Sequence, residues 1–232
     1  MNRRALLRTA AAASLAGIAG CSGVVGRSAS SGNTYLAKPR SQRAKSEALV
    51  YPAWGQAFPT STVPAVFHEG SVTVPTDFSG KNFFLTWFYS YCPSVCPVEV
   101  GDLRAIQAKA LKSGYDTRFV AGVFDPRQDT KQRLETFARE KYVDLQAGDW
   151  YFLRPSTPSS AKRIVTGTYG VNYQPSQVKD GIQFYDHGAY VFLVNDAGYV
   201  ERVYHNSLES KVQWQPMWAD LQTLRKREGK QV

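Results

Sequence analysis

The chain has 232 residues, of which 43% are hydrophobic and 13% aromatic, enough to bury one substantial core. Its formal charge is +9, but the basic residues are scattered. Only Arg225-Lys226-Arg227 forms a run, as a solvated helix C-terminus does, so no nucleic acid is expected as a partner.

The start reads as an export signal over residues 1–20. Arg3-Arg4-Ala5-Leu6-Leu7-Arg8 is a charged beginning, and the apolar segment Thr9 to Ala19 that follows is too short to cross a bilayer core, which takes about 20 residues. The Arg3-Arg4 pair resembles a twin-arginine signal. Ile18-Ala19-Gly20-Cys21 resembles a bacterial lipoprotein box, which implies cleavage before Cys21 and a lipid on that cysteine. The alternative is an ordinary signal that ends beside a cysteine. Under the lipoprotein reading the protein is exported and held by its lipid anchor on the outer face of the bacterial inner membrane. Residues 21–50 are then the lipidated N-terminus and a flexible tether, rich in Ser, Gly, Ala, Lys and Arg. Losing Arg3, Arg4 and Arg8 lowers the positive surplus, leaving a mild one compatible with an anionic membrane surface or an acidic partner.

The folded domain is expected over residues 51–232. Val63 to Phe67 and Ser71 to Val74 read as short strands about the turn His68-Glu69-Gly70, and Asn82 to Tyr89 as a buried strand. A helix with Val100, Leu103 and Ile106 on its apolar face runs to about Leu111. Thr117 to Phe124 is a strand. The next helix starts at Asp129, read as its cap with Gln132 three residues on, and carries Leu134, Phe137 and Ala138. Trp150 to Leu153 reads as a strand, Pro158 to Tyr169 as a helix, and Tyr173 to Tyr185 as a polar excursion carrying Asp180-Gly181. Ala189 to Val194 and Tyr199 to Val203 flank Asn195-Asp196-Ala197-Gly198, a hairpin signal. Pro216 suits the first turn of a last helix with Trp218, Leu221 and Leu224 on one face. This order matches a thioredoxin-like α/β architecture, a mixed sheet flanked by helices, with a closing β-hairpin and a C-terminal helix.

The chemistry lies between the buried strand and the first helix, in Cys92-Pro93-Ser94-Val95-Cys96-Pro97. Three cysteines in all are too few for a disulfide scaffold, so Cys92 and Cys96 read as functional. The spacing is C-x-x-x-C, one longer than the redox C-x-x-C. In a helix it brings both sulfurs to one face, fit to clamp a soft metal ion. A helix N-terminus favours thiolate over thiol, and Pro93 and Pro97 suit a first turn. A structural disulfide is the bland alternative, but so short a loop gains little closure entropy. Tyr185-Asp186-His187-Gly188 precedes the strand that, in a thioredoxin-like fold, runs beside the cysteine strand. His187 would therefore face the two sulfurs. Two thiolates and an imidazole suit Cu(I), Cu(II) or Zn(II).

Cys92-Pro93-Ser94-Val95-Cys96-Pro97, Asp125-Pro126-Arg127-Gln128-Asp129-Thr130 and Asp186-His187 together resemble the three motif blocks of the Sco/SenC family, over about Phe58 to Leu224. These are thioredoxin-like copper-binding proteins of cytochrome c oxidase assembly. The resemblance implies copper, Cu(I) or Cu(II), on Cys92, Cys96 and His187, and a metallochaperone rather than an enzyme. The partner it implies is the oxidase subunit carrying the CuA site or another copper acceptor. Tyr89-Ser90-Tyr91 stands where many members have Phe-Thr-His. The family resemblance leaves open a redox-active Cys92/Cys96 pair that reduces the acceptor's cysteines, a thiol–disulfide oxidoreductase, since thiolates that bind Cu(I) also attack disulfides. A thiol peroxidase ranks third. Ordinary thioredoxins carry a cis-proline before the strand facing their cysteines, and Asp180 to Leu193 contains no proline.

Three residues are candidates to support the ligands. Asp125 ends a strand on the cysteine edge, Tyr91 could line the site and exclude water, and Asp186 could orient His187, although neighbours in extended chain point opposite ways. His68 and His205 read as ordinary histidines.

Overall fold

The computed structural model describes residues 32–206 and 213–230. Cys21 and the expected export signal lie outside them. Strands β1 (Ser61–Pro64) and β2 (Ser71–Val74) form a hairpin. The chain continues through β3 (Asn82–Phe88), α1 (Cys96–Lys112), β4 (Thr117–Val123), α2 (Lys131–Glu140) and β5 (Trp150–Leu153). After α3 (Pro158–Lys162), which runs on as a wider turn to Thr168, come β6 (Tyr173–Lys179), β7 (Ile182–His187), β8 (Ala189–Val194), β9 (Val200–Asn206) and α4 (Trp214–Arg227).

The central sheet has five strands in the order β5-β4-β3-β8-β9. β3, β4 and β5 are parallel, while β8 runs antiparallel to β3 and β9 antiparallel to β8. β3 is buried along its whole length, as a near-continuous apolar run in the middle of a sheet should be. Its side chains alternate between two layers. Thr86 meets α1 at Glu99 and Phe88 meets α2 at Phe137, whereas Trp87 faces the other way, against Tyr169 beyond α3. Helices thus cover both faces of a thioredoxin-like α/β sheet. Gly122 on β4 lies under the Trp87 ring, where any side chain would collide with the indole. Val100, Leu103 and Ile106 are fully buried, as their spacing predicts, and Tyr115 stacks on Trp218 to seat α4.

Four readings need correction. The expected tether is shorter than residues 21–50, because residues 33–37 pack on the domain. The Glu201 carboxylate accepts from the backbone N–H of Tyr35 and Leu36, Trp54 Nε1 donates to the Leu36 carbonyl, and Leu36 is 2% exposed. A polar composition hid one anchoring leucine and a strap held through its backbone. The polar excursion is the β6–β7 hairpin, turned by Asp180 and Gly181 at φ 51° and 78°. Its outward residues are polar because β6 is solvent-facing after Tyr173, which blurs the alternation. The cap of α2 is Thr130, whose Oγ1 accepts from Arg133 N, while Asp129 turns inward. Finally, α1 starts at Cys96, so Cys92 lies on the preceding turn and not one helical turn along the same face.

Candidate metal centre

β3 ends at Phe88, and the chain turns back through Cys92, whose N–H donates to the Tyr89 carbonyl at 3.2 Å. The turn is pinned from α2. Arg133 donates to the Ser90 carbonyl and hydroxyl, and its guanidinium lies 4.7 Å over the Tyr91 ring. Ser90 N donates to Asp129 Oδ1 at 2.9 Å. α1 then begins, with Pro97 in a first turn that needs no N–H partner there. From the other side, β7 ends in His187.

These pieces bring three donor atoms together. His187 Nε2 is 3.3 Å from Cys96 Sγ and 3.8 Å from Cys92 Sγ, and all three lie within 4.8 Å of one another. Donors held at about 2.0–2.3 Å from one ion stand roughly 3.3–4 Å apart, so the set fits a single soft or borderline metal. His187 Nδ1 faces the Gly188 carbonyl at 3.1 Å, which requires a proton on Nδ1 and leaves Nε2 for the metal. Both cysteines are unbridged. Cys96 is fully buried, Cys92 is 7% exposed, and a cleft of about 580 Å³ opens from Cys92 and His187 toward Tyr190 and His205.

The electrostatics divide the pair. The Cys92 thiol is held down to about 3, first by the hydrogen bond from Cys96, against the opposing effect of burial, and further by His187 and the backbone N–H groups of Ser94 and Cys96. Burial drives Cys96 well above its ordinary range, and the adjacent Cys92 thiolate adds to this. Burial, the largest single influence, lowers His187, but the hydrogen bonds with Cys92 and the Gly188 carbonyl and the nearby Cys92 and Glu99 charges together outweigh it, and the net direction is up. To join Cys92 as a metal donor, Cys96 would have to give up its proton, so binding there would release one.

The supporting residues differ from those expected. Asp125 is buried but touches no ligand, and its Oδ2 accepts from Tyr185 Oη at 2.5 Å and Gln128 Nε2 at 2.7 Å. Tyr91 stacks under Arg133, and Tyr89 lines the cleft instead, with its ring 5.7 Å from that of His187. Phe124 lies 5.2 Å from the imidazole on another side. Asp186 is exposed at the cleft mouth, and the Gly188 carbonyl does the orienting. His68 is a packing histidine, stacked on Tyr151 and bonded to the Trp150 carbonyl. His205 is bonded to Tyr51 Oη and stacked edge-on to Tyr190 at the far end of the cleft.

The sequence reading missed Glu99. It is fully buried, takes hydrogen bonds from Thr86 Oγ1 and Asn206 Nδ2, and burial raises its carboxyl to about 7. The signal was present as a single acid three residues after Cys96, on the apolar face that Val100 and Leu103 continue.

Residues 63–220 match the SCO1/SenC family. The chain belongs to that family. Among curated relatives it is 24% identical over 145 residues to Protein SCO1 homolog 1, mitochondrial, of Arabidopsis thaliana, covering 62% of this chain and 41% of that protein. It is 28% identical over 171 residues to Protein SCO2 homolog, mitochondrial, of Mus musculus, covering 72% and 62%. The match therefore spans less than two thirds of either relative. Among solved structures, Arabidopsis thaliana ScoI with copper bound superposes with a TM-score of 0.60 at 22% identity, over 73% of this chain and 99% of that one. At that identity the likeness shows the shared fold.

Proposed function

We propose that this SCO1/SenC chain binds copper through Cys92, Cys96 and His187 and delivers it for assembly of the CuA centre of a cytochrome c oxidase. The observation that carries the reading is the convergence of His187 Nε2 on both sulfurs, at 3.3 and 3.8 Å. Two thiolates favour Cu(I), and the imidazole adds the nitrogen that Cu(II) prefers. A solved relative of the same fold holds copper. Delivery belongs outside the cytoplasm, with Cys21 carrying the lipid that keeps the domain at the outer face of the membrane. Cys92 sits at the open end of the cleft, so an acceptor's thiolates would reach the metal from its side while buried Cys96 is released last.

The test is metal stoichiometry of the reduced full chain under anaerobic conditions. One copper per chain is expected, with a thiolate-to-copper charge-transfer band for Cu(II) that either Cys92→Ser or Cys96→Ser abolishes. Unchanged copper uptake by the double substitution would overturn the site.

A second reading, reduction of the acceptor's cysteines, is favoured by one observation. Cys92 is a thiolate held down to about 3 beside the protonated, buried Cys96, the arrangement of an attacking and a resolving cysteine. A mixed disulfide through Cys92 would be resolved by Cys96, leaving the acceptor a dithiol and this pair oxidised.

A further inference from the structure

The histidine arm of the site hangs on a hairpin outside the central sheet. Among the described residues β7 pairs with β6 alone, in the two-stranded sheet they form. The position of His187 therefore depends on how the hairpin is fastened to the body, as well as on Ala189, two residues on, where β8 joins the central sheet. Tyr185 N donates to Tyr89 Oη at 3.4 Å, and a second fastening is the Gln128 side chain. Gln128 Oε1 accepts from Gln183 N at 2.7 Å, and Gln128 Nε2 donates to Gln183 O at 3.0 Å. One carboxamide thus supplies β7 with the donor and acceptor that a neighbouring strand residue would supply. The second Nε2 hydrogen goes to Asp125 Oδ2 at 2.7 Å, which fixes which way the amide faces. Tyr185 adds its bond to the same carboxylate.

The loop that carries Gln128 also holds the cysteine arm, through Asp129 and Ser90 N. It is itself braced by Arg154, which donates to the Pro126 and Asp129 carbonyls. One short segment, residues 125–129, therefore touches both halves of the centre and spaces them.

We propose that Gln128 is a positioning residue that clamps β7 through the Gln183 backbone and so sets how closely the His187 imidazole approaches the two sulfurs. The part of this inference that concerns metal rests on the copper-binding reading. Loss of the clamp leaves both thiolates in place on the cysteine turn and α1 but lets the imidazole drift. The site then shifts from two sulfurs and a nitrogen toward two sulfurs alone, which penalises Cu(II) more than Cu(I).

The experiment compares Gln128→Ala, Gln128→Glu and, as a control in the same region, Thr130→Ala, which removes the α2 cap without touching β7. In the metal-free, reduced full chain, Gln128→Ala should speed amide exchange at Gln183 about tenfold or more and shift the His187 ring resonances. Its Cu(II) affinity should fall by about 10–100-fold, with Cu(I) affinity changed several-fold less. Gln128→Glu keeps the acceptor for Gln183 N but loses both donated bonds. Its carboxylate would face Asp125 Oδ2 and the Gln183 carbonyl with no proton to share, so its Cu(II) loss should match or exceed that of Gln128→Ala, which also serves if the alanine variant does not fold. Thr130→Ala should leave Gln183 exchange and the Cu(II)/Cu(I) ratio as in the wild type. Wild-type Gln183 exchange in Gln128→Ala would overturn the clamp, as would equal weakening of both copper states. Should the wild type itself take up no copper, the copper reading fails, while exchange and the His187 resonances still decide the clamp.

Discussion

Cys96 Sγ and His187 Nε2 lie 3.3 Å apart across 91 residues of sequence. Three separate elements must be held for this contact to form: the turn before α1, the start of α1 and the end of β7. Each has its own fastening, respectively Arg133 on Ser90, the first turn at Pro97 and Gln128 on Gln183. If the three side chains take a metal, fastenings of this kind reduce the ordering that binding demands of them.

The strap at residues 33–37 should matter for stability and not for metal binding. Glu201 is buried and its carboxylate accepts from Tyr35 N, Leu36 N and Asn195 Nδ2. Glu201→Ala leaves these donors without their acceptor, at a cost of about 2–3 kcal/mol. Denaturant unfolding of the full chain should show a lower midpoint, and limited proteolysis should cut ahead of Ala53 sooner. Copper stoichiometry should be unchanged.

Burial raises the Asp129 carboxyl from its ordinary 3.8 to about 7. Its Oδ1 takes the Ser90 N–H, while buried Oδ2 has no partner among the described residues. The native chain therefore keeps a proton that the unfolded chain releases above about pH 4. Stability from this group is complete below pH 4 and falls as pH rises through 7, by on the order of 4 kcal/mol. Asp129→Asn preserves the acceptor and cannot ionise, so it should flatten that loss. Glu99, raised in the same direction, should keep some slope in the variant. Unfolding midpoints from pH 4 to pH 8 provide the check, and an unchanged slope in Asp129→Asn would refute the buried-acid account.

Much of the fold and the site was legible from particular residues. The C-x-x-x-C spacing, the strand that precedes it and Asp186-His187 pointed to the three side chains that the structure brings together, and Asn195-Asp196-Ala197-Gly198 pointed to the closing hairpin. What escaped were relationships carried by backbone groups and by solvent-facing strands. The Gly188 carbonyl orients His187, and nothing in the identity of residue 188 announces a carbonyl acceptor. The β6–β7 hairpin was hidden because one strand is wet along nearly its full length, although Asp180-Gly181 is the turn such a hairpin uses. Tyr91 and Tyr89 exchanged roles because alternation about the end of β3 cannot foresee that Arg133 captures one ring.

The lipid-anchor reading makes a separate prediction. Cys21→Ser should abolish incorporation of labelled fatty acid into the protein and release the domain from the membrane fraction, with copper binding by the purified chain unaffected. Equal labelling of wild type and Cys21→Ser would refute the anchor and leave the export signal standing.

His187 separates copper delivery from thiol reduction. Replacing it with Ala removes the nitrogen donor but leaves Cys92 and Cys96 able to cycle between dithiol and disulfide. Cu(II) should be lost most, while Cu(I) survives more weakly on two thiolates. The Cys92 thiol should also rise, because His187 helps hold it down, though Cys96 holds it more strongly. Delivery predicts that His187→Ala cells fail to assemble the acceptor oxidase at low copper and recover in part when copper is added. Thiol reduction predicts near-normal oxidase in His187→Ala and failure in Cys92→Ser at every copper level. Oxidase activity across a copper series in both strains decides the matter, because only delivery makes the defect depend on copper supply. Near-wild-type activity of His187→Ala at the lowest copper would transfer the function from the metal to the thiols.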